Sequence, residues 1–353
     1  MKATERNGHM NAAVLYGRED VKIERVEIPT LADDEILVRV AVALTCGTDL
    51  KVWKQGSHAR MIQPPALFGH EFAGVVEAKG SAVNGEMRQG MRVVPANSAP
   101  CGVCFFCRKD QPNLCEDLLF NNGAYAEYIR IPGRIVRQNT VEIPDHVSFQ
   151  DAAMAEPLAC VLRGIHEMHI QPGETAVVIG CGPIGLKFIR VLSNRKVRVI
   201  AIGKRKSQTS AAMRLGAVAA FDAAEIENPL SQVLELTEGG RGADAVIEAV
   251  GVPATWHWAL QMVRKGGRVN LFAGCPKGSE MRIDPAALHY SEITIMSTFH
   301  HTPRFIREAV DTIARGEIRS SDFITGEVPL SELPSVFEKM KNRNGELKTA
   351  IIP

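Results

Sequence analysis

The pattern of hydrophobic and polar positions changes character near residue 145. Before that point, short runs of alternating or β-branched residues are separated by turn residues, which is typical of β-strands. Strands are predicted at 13–16, 21–26, 35–42, 72–77, 92–94, 125–131 and 135–136, after a loose polar extension at 1–10. Many short strands at this spacing predict an all-β barrel or sandwich.

After residue 145, helical spacing appears first and strands then alternate with helices. Ser148 and Asp151 can cap a helix that continues to about residue 169. Strands are predicted at 176–179, 197–202, 219–221, 245–248, 268–272 and 293–297, and helices at 207–215, 228–237 and 254–263. This alternation predicts a parallel sheet with helices on both faces. The helix at 303–315 and the segment 331–341 do not obviously extend that sheet.

A glycine motif follows the strand at 176–179. The pattern G-x-G-x-x-G is formed by Gly180, Gly182, Pro183, Ile184 and Gly185. The first glycine allows a tight turn, the second lets a pyrophosphate approach the backbone, and the third lets the helix pack closely. Free N–H groups at the helix N-terminus favour the negative charge. The motif predicts dinucleotide binding, with a merely structural βαβ unit as the alternative.

Length and composition exclude several classes of protein. A chain of 353 residues is expected to form two domains. Its 45% apolar and 23% charged residues are typical of a soluble globular protein. The formal net charge of +1 predicts no nucleic-acid partner and no anionic membrane surface. We find no apolar stretch long enough to span a bilayer and no signal-peptide pattern, so we expect a cytoplasmic protein.

Four of the eight cysteines lie close together in one loop. Cys101, Cys104, Cys107 and Cys115 have the spacing C-x2-C-x2-C-x7-C. Four thiolates can close tetrahedrally around Zn2+ and leave no open position, which predicts a structural zinc site in a lobe at about 97–117. An iron–sulfur cluster also takes four cysteines, but here the fourth is too distant and no proline follows it. Disulfides are disfavoured in a large chain without a secretion signal.

A second, looser set of ligands is spread over three motifs. These motifs are Cys46-Gly-Thr-Asp49, Gly69-His70-Glu71 and Glu156-Pro157. Each is weak alone, because a single cysteine is more often a small buried apolar residue. Together they supply a thiolate, an imidazole and one or two carboxylates, which suits zinc with a position open for a substrate oxygen. Asp49 can orient the imidazole, and the Thr48 hydroxyl can relay a proton.

In this order, the motifs resemble those of the zinc-dependent medium-chain alcohol dehydrogenases. The resemblance covers nearly all of the chain from Ala12 and is strongest to the polyol branch, followed by the threonine dehydrogenase branch. It implies an α/β plus β fold, with a GroES-like β domain and an inserted Rossmann domain that has a doubly wound parallel sheet. The implied boundaries are 1–158 with 298–353 for the catalytic domain and 159–297 for the Rossmann domain. A homodimer or homotetramer is also implied.

The resemblance implies Cys46 and His70 as constant ligands of a catalytic zinc. In the polyol branch the glutamate after the histidine, here Glu71, binds zinc. Glu156 occupies the position where other members place a cysteine, and Cys160 lies nearby at the wrong position. We expect Glu71 and Glu156 to share or exchange the role of third ligand.

One residue departs from the family pattern. The family often has a histidine three residues after the relay Ser or Thr, and this chain has Lys51 there. Lys51 can contact cofactor or substrate, or it can be a solvated side chain. The sequence therefore does not identify the group at the outer end of the proton relay.

The end of the strand at 197–202 predicts which nicotinamide cofactor is used. An NAD-preferring site needs an acidic residue there to accept from the ribose 2′-OH. This chain instead has Gly203, Lys204, Arg205 and Lys206. Glycine removes the carboxylate that would repel a 2′-phosphate, and the cations can bind that phosphate. NADP(H) is therefore favoured over NAD(H), with a solvated turn and relaxed cofactor choice as the alternative.

Residues and resemblance together predict an oxidoreductase that uses two zinc ions, one catalytic and one structural. It would transfer a hydride between a nicotinamide and a secondary alcohol or ketone, with a small polyol or sugar as substrate. The alternatives are amino-alcohol oxidation of the threonine dehydrogenase type and a catalytically silent dinucleotide-binding protein. His300 and His301 can contact substrate or cofactor, or they can lie on a surface turn.

Overall fold

The computed structural model describes residues 8–57, 61–226, 228–342 and 347–353. The chain divides into two compact units, one formed by Met1–Ala159 with His301–Pro353 and the other by Cys160–His300. None of the helices in the described ranges combines the length and the apolar character that a bilayer crossing requires.

The first part of the chain consists mainly of short strands, as the hydrophobic pattern predicts. The strands are β1 (His9–Gly17), β2 (Asp20–Glu27), β3 (Ile36–Leu44), β4 (Ala66–Leu67), β5 (Glu71–Lys79), β6 (Arg92–Pro95), β7 (Ser98–Ala99), β8 (Leu119–Phe120), β9 (Tyr128–Ile131) and β10 (Thr140–Glu142). The helices between them are α1 (Gly47–Gln55), α2 (Phe105–Arg108) and α3 (Gly133–Asn139), followed by α4 (Phe149–Ala152) and α5 (Ala155–Glu167).

Three local predictions are wrong in detail. The pair at 135–136, predicted as a strand, is helical. The helix α3 begins directly after Pro132, and the carbonyl of Pro132 accepts from the backbone N–H groups of Ile135 and Val136. The single helix expected to run to residue 169 is divided into α4 and α5. Ser148 does cap α4, where its hydroxyl accepts from the N–H of Asp151. The expected loose extension is wrong for its last residues, since β1 begins at His9, and residues 1–7 lie outside the described residues.

The unit Cys160–His300 contains the predicted alternation of strands and helices. Its strands are β11 (Thr175–Ile179), β12 (Arg198–Gly203), β13 (Ala219–Asp222), β14 (Ala243–Glu248), β15 (Val263–Leu271) and β16 (Thr294–Met296). The helices are α6 (Pro183–Asn194), α7 (Lys206–Arg214), α8 (Pro229–Glu235), α9 (Pro253–Met262) and α10 (Pro285–Ser291). The strand order is β13-β12-β11-β14-β15-β16 and every pairing is parallel, which confirms the doubly wound sheet.

The chain then returns to complete the sheet of the other unit. It forms α11 (Pro303–Ala314), β17 (Ile324–Pro329), α12 (Leu333–Lys341) and β18 (Lys348–Ile352). The larger sheet has the order β10-β6-β5-β3-β18-β17, with β9 also paired to β3, and a smaller sheet has the order β2-β1-β4. Because β18 lies between β3 and β17, the last strand of the chain is an internal strand of this sheet.

The two cores reflect these two kinds of sheet. In the parallel sheet the middle of each central strand is a run of apolar residues, and Val177, Ile200 and Val246 are fully buried. This is the composition expected when both faces of a sheet are covered by helices. The core of the other unit combines residues of β3 and β5 with Phe337 of α12 and Ile351 of β18. That core is therefore complete only with residues from the last part of the chain.

Candidate active site

The ends of three neighbouring strands bring the candidate metal ligands together. Leu44, the last residue of β3, pairs with Glu71, the first residue of β5, and also with Ala350 of β18. Cys46 follows β3 and caps α1, with its sulfur accepting a 3.4 Å hydrogen bond from the N–H of Thr48. His70 directly precedes β5. Sheet register, rather than proximity in sequence, therefore places these side chains at one end of the sheet.

One ligand atom from each of Cys46, His70 and Glu71 lies within 4.8 Å of the others. Oδ1 of Asp49 lies 2.8 Å from Nδ1 of His70. An ionised carboxylate can only accept, so Nδ1 donates, and in the neutral imidazole that binds a metal the lone pair is on Nε2. Oε1 of Glu71 is buried and has no hydrogen-bond partner among the described residues. A thiol, an imidazole nitrogen and this carboxylate oxygen fit a zinc site with an open fourth position.

The electrostatics of the pocket also favour a cation. Burial by itself lowers the pKa of His70, but the negative charges of Asp49 and Cys46 raise it well above its usual value. The surrounding negative charges therefore stabilise a positive charge at the imidazole. A metal ion on Nε2 supplies that charge by replacing the proton, as in metal binding that is coupled to deprotonation.

Lys348, at the start of β18, engages the other oxygen of Glu71. Its ammonium donates to Oε2 of Glu71 and, at 2.6 Å, to the carbonyl of Thr45. The lysine side chain is 3% exposed and that of Glu71 is 0% exposed, so the pair is shielded from water. Burial lowers the pKa of Lys348, but the charges of Glu71 and Cys46 raise it above its usual value. No local sequence signal indicates a site role for Lys348, because its partner lies 277 positions away.

Glu156 lies in the first turn of α5 and does not join the cluster of Cys46, His70 and Glu71. Its Oε1 is 3.9 Å from Nε2 of His301. Burial raises the pKa of Glu156 to about 7, and the charge of His70 opposes that rise. Glu156 therefore experiences the charge of the candidate centre, but Glu71 is the carboxylate that lies within ligand distance of Cys46 and His70.

The remaining candidates from the sequence have distinct environments. Thr48 is half-buried in the first turn of α1, and Lys51 is exposed one turn later. His301 is buried, with Nε2 lying 2.9 Å from Oδ1 of Asn97, so the surface-turn alternative is wrong for it. His300 lies on a segment held by Arg163, whose guanidinium donates to the carbonyls of Phe299 and His300.

The four lobe cysteines also converge. Sγ of Cys101 lies 4.0 Å from Sγ of Cys107, and Sγ of Cys104 lies 3.8 Å from Sγ of Cys115. Zinc bound tetrahedrally at about 2.3 Å would separate sulfur pairs by about 3.8 Å. Backbone N–H groups of Cys107 and Glu116 lower the pKa of Cys104 to about 6. This geometry and the stabilised thiolate fit a closed tetrahedral metal site.

The glycine motif has the geometry of an anion site. Gly180 has φ +102°, and an added Cβ at Gly185 would lie 1.7 Å from the carbonyl oxygen of Gly180. A Cβ at Gly182, by contrast, would meet no atom within 4 Å. Gly182 is the N-cap of α6, and Pro183 and Ile184 form its first turn. There is therefore open space at Gly182, beside the N-terminus of α6, where a pyrophosphate has to approach the backbone.

The candidate 2′-phosphate site lies at the end of β12. Gly203 is its last residue, Lys204 is exposed, and Arg205 is the half-buried N-cap of α7. In strand register Asp222 faces Gly203, and its Oδ1 accepts from the N–H of Ala224 in its own turn. The N-terminus of α7 adds its dipole to the cations of this segment.

Comparisons with known proteins agree with this geometry. The model of the alcohol dehydrogenase GroES-like domain matches residues 32–145, and that of the zinc-binding dehydrogenases matches residues 183–315. The chain is 30% identical to D-xylulose reductase A of Aspergillus oryzae, covering 96% of this chain and 95% of that protein. It is 28% identical to sorbitol dehydrogenase of Bacillus subtilis, covering 98% of each.

A solved structure has the same fold over nearly the whole chain. It is a protein of Sinorhizobium meliloti assigned to the zinc-binding dehydrogenases and crystallised with NADP. The TM-score is 0.87 at 29% identity, with 98% of this chain and 99% of that chain covered. Two matching family models, two relatives and one structure thus agree along the length of the chain.

Removing the ammonium of Lys348 tests the buried pair. In the metal-free protein, Lys348→Met is expected to lower the free energy of unfolding by about 3–5 kcal/mol, because Glu71 is left charged and buried. Chemical denaturation measures this loss. The matched control is Lys341→Met, which removes a lysine 2.7 Å from the more exposed Glu19 and should cost less than about 1 kcal/mol. Equal losses for the two variants would contradict the assignment.

Proposed function

This chain belongs to the zinc-dependent medium-chain alcohol dehydrogenases, and we propose that it oxidises a polyol or sugar-type secondary alcohol reversibly to the ketone. The convergence of Cys46, His70 and Glu71, with one carboxylate oxygen buried and unpaired, carries the proposal. Such a donor set suits a catalytic zinc rather than a closed structural one. A catalytically silent dinucleotide-binding protein would have no need for it.

The chain's own residues have separate tasks in this reaction. Cys46, His70 and Glu71 hold the metal, while Asp49 keeps the His70 imidazole oriented through Nδ1. When bound, zinc supplies Lewis-acid polarisation of the substrate hydroxyl and the nicotinamide supplies the hydride acceptor. Thr48 lies in the first turn of α1, where its backbone N–H donates to the sulfur of Cys46, and its hydroxyl would pass the substrate proton outward.

A second zinc is proposed for the lobe of four cysteines. Support comes from the sulfur separations of 3.8 and 4.0 Å and from backbone N–H groups directed at Cys101 and Cys115. All four positions of a tetrahedral ion are filled by sulfur, so no site for substrate is left. The role of this zinc is to hold the loop.

Glu71 is proposed as the third protein ligand of the catalytic zinc in the resting centre. One of its carboxylate oxygens lies within 4.8 Å of the ligand atoms of Cys46 and His70, whereas Glu156 lies near His301. Lys348 leaves one oxygen of Glu71 for the metal and neutralises the other. Glu156 remains close enough to feel the charge of His70 and can take the role transiently.

NADP(H) is the proposed nicotinamide. Gly203 presents no carboxylate to a 2′-phosphate, and Lys204, Arg205 and the N-terminus of α7 supply positive charge. The NADP-bound relative shows that a protein of the same fold accepts this cofactor. A polyol is the proposed substrate class because relatives that match over nearly the whole chain are a xylulose reductase and a sorbitol dehydrogenase.

A substrate panel with metal analysis on the same sample tests the function. Sorbitol, xylitol, iditol, threonine and simple secondary alcohols are each tried with NAD and with NADP. We expect polyol turnover and about two zinc ions per chain. Threonine turnover with the same zinc content would replace the substrate class, and no turnover with about one zinc ion would refute the catalytic centre.

The third-ligand proposal is tested by zinc content after exhaustive dialysis. In Glu71→Gln the zinc content should fall from about two ions per chain toward about one, because an amide oxygen is a poor zinc ligand. Glu156→Gln is the matched control and should retain its zinc while losing activity. If Glu156→Gln loses the ion and Glu71→Gln keeps it, the two roles are reversed.

The cofactor proposal is tested by placing a carboxylate at the end of β12. Gly203→Asp should shift the ratio of kcat/KM for NADP over NAD toward NAD by about tenfold or more, because the new charge repels a 2′-phosphate. The nearest atom to the added Cβ is Cγ2 of Thr209 at 3.0 Å, so a small adjustment accommodates it. Arg214→Ala, at the far end of α7, should leave the ratio unchanged. An unchanged ratio in Gly203→Asp would contradict the proposal.

A further inference from the structure

The phenol of Tyr125 is fully buried beside the candidate metal centre, and no role in the reaction has been assigned to it. Its O–H donates to Oδ2 of Asp49 at 2.6 Å and lies 3.1 Å from the carbonyl oxygen of Leu44. The single phenolic hydrogen favours the shorter contact to the ionised acceptor. Burial and the charge of Asp49 raise the pKa of Tyr125 well above its usual value, so the phenol remains a donor.

Asp49 is held at both oxygens as a result. Oδ2 accepts from Tyr125, and Oδ1 accepts from Nδ1 of His70 at 2.8 Å. A carboxylate with only one of these partners can rotate about its Cβ–Cγ bond. With both, its plane is fixed and so is the plane of the imidazole that it orients. A linear chain of contacts therefore runs from Tyr125 through Asp49 to His70.

The backbone of Tyr125 is attached to the segment that carries His70. The N–H of Tyr125 donates to the carbonyl of Phe68 at 2.9 Å, and the N–H of Gly123 donates to that of Gly69. An added Cβ at Gly69 would lie 2.7 Å from the Tyr125 ring, and Gly69 has φ +93°. The phenol ring thus packs directly on the backbone that precedes His70.

The ring itself is fixed by aromatic neighbours. Tyr125 meets Phe68 edge-on at a centroid distance of 5.6 Å and Phe337 at 6.2 Å. Such contacts restrict rotation of the ring and so determine where its oxygen lies. The oxygen therefore reaches Asp49 from an immobile support, which is the arrangement that holds a metal ligand in place.

We propose that Tyr125 is a positioning residue of the metal centre, which acts through Asp49 to fix the imidazole of His70 for zinc. The inference rests on the proposed function, since it takes Cys46, His70 and Glu71 as the zinc ligands. Its effect falls on retention of the metal and on the geometry around it. Tyr125 does not contact the substrate and does not move the substrate proton.

Tyr125→Phe removes the oxygen and keeps the ring, so it separates this role from simple core packing. Partners of metal-ligating histidines typically contribute about 10–100-fold to metal affinity. We expect zinc at the catalytic site of Tyr125→Phe to be bound at least about tenfold more weakly. Competition with a chromophoric chelator measures this, and zinc in the cysteine lobe is the internal reference. The visible bands of the cobalt-substituted protein should also shift.

Two further variants make the test specific. Tyr16→Phe is the matched control, because it removes a phenol that donates to a carboxylate, Glu24, at 2.8 Å on the surface. It should leave zinc affinity and the cobalt bands unchanged. In an Asp49→Asn background, Tyr125→Phe should cause no more than about a twofold further loss, since two residues in one chain of contacts are not additive.

The outcomes separate this inference from the function on which it rests. Wild-type affinity and unshifted cobalt bands in Tyr125→Phe, with two zinc sites present in the wild type, overturn the inference alone. A full additional loss in the Asp49→Asn background also overturns it, because Tyr125 would then act by another route. If the wild type binds zinc only in the cysteine lobe, the metal centre and this inference both fail.

Discussion

Charged groups that are removed from water at the end of β3, β5 and β18 need partners within the protein, and the rest of this unit supplies them. Glu71 is neutralised by Lys348, and Asp49 is held by His70 and Tyr125. An unpaired charge at such depth would be strongly destabilising. Segments far apart in the sequence, including β18, therefore contribute charges and hydrogen bonds at this point.

The two units bind their ligands by different physical means. In one unit, sulfur, imidazole and carboxylate atoms converge from strand ends and a loop, and affinity depends on deprotonated ligands. In the other, glycines expose the N-terminus of α6, and the backbone itself provides the positive end. The first kind of site is sensitive to the exact placement of side chains, whereas the second depends on the absence of side chains at Gly182 and on close packing at Gly185.

Sites whose residues lie close together in the sequence can be predicted from the sequence alone. The cysteine lobe and the glycine motif each lie within a short segment, so their spacing alone indicates the chemistry. The pairing of Glu71 with Lys348 had no such signal, apart from a lysine at the start of an apolar run. Tyr125 falls in the predicted strand 125–131, but it precedes β9, which begins at Tyr128. The pair at 135–136 was misread because β-branched residues also begin a helix after a proline.

Because the chain returns to its first unit, the two units cannot be completed in the order in which they begin. The dinucleotide unit is one uninterrupted stretch, Cys160–His300, so all of its strands are synthesised before β17 and β18. Domains generally fold as units during synthesis, N-terminal first. Here the dinucleotide unit can complete its sheet before β18 is synthesised. At that stage β3 is not yet paired with β18, and Glu71 is not yet paired with Lys348. The metal centre therefore cannot be completed before β18 is synthesised, and a chain arrested before β18 would carry a finished nucleotide fold with an unfinished zinc site.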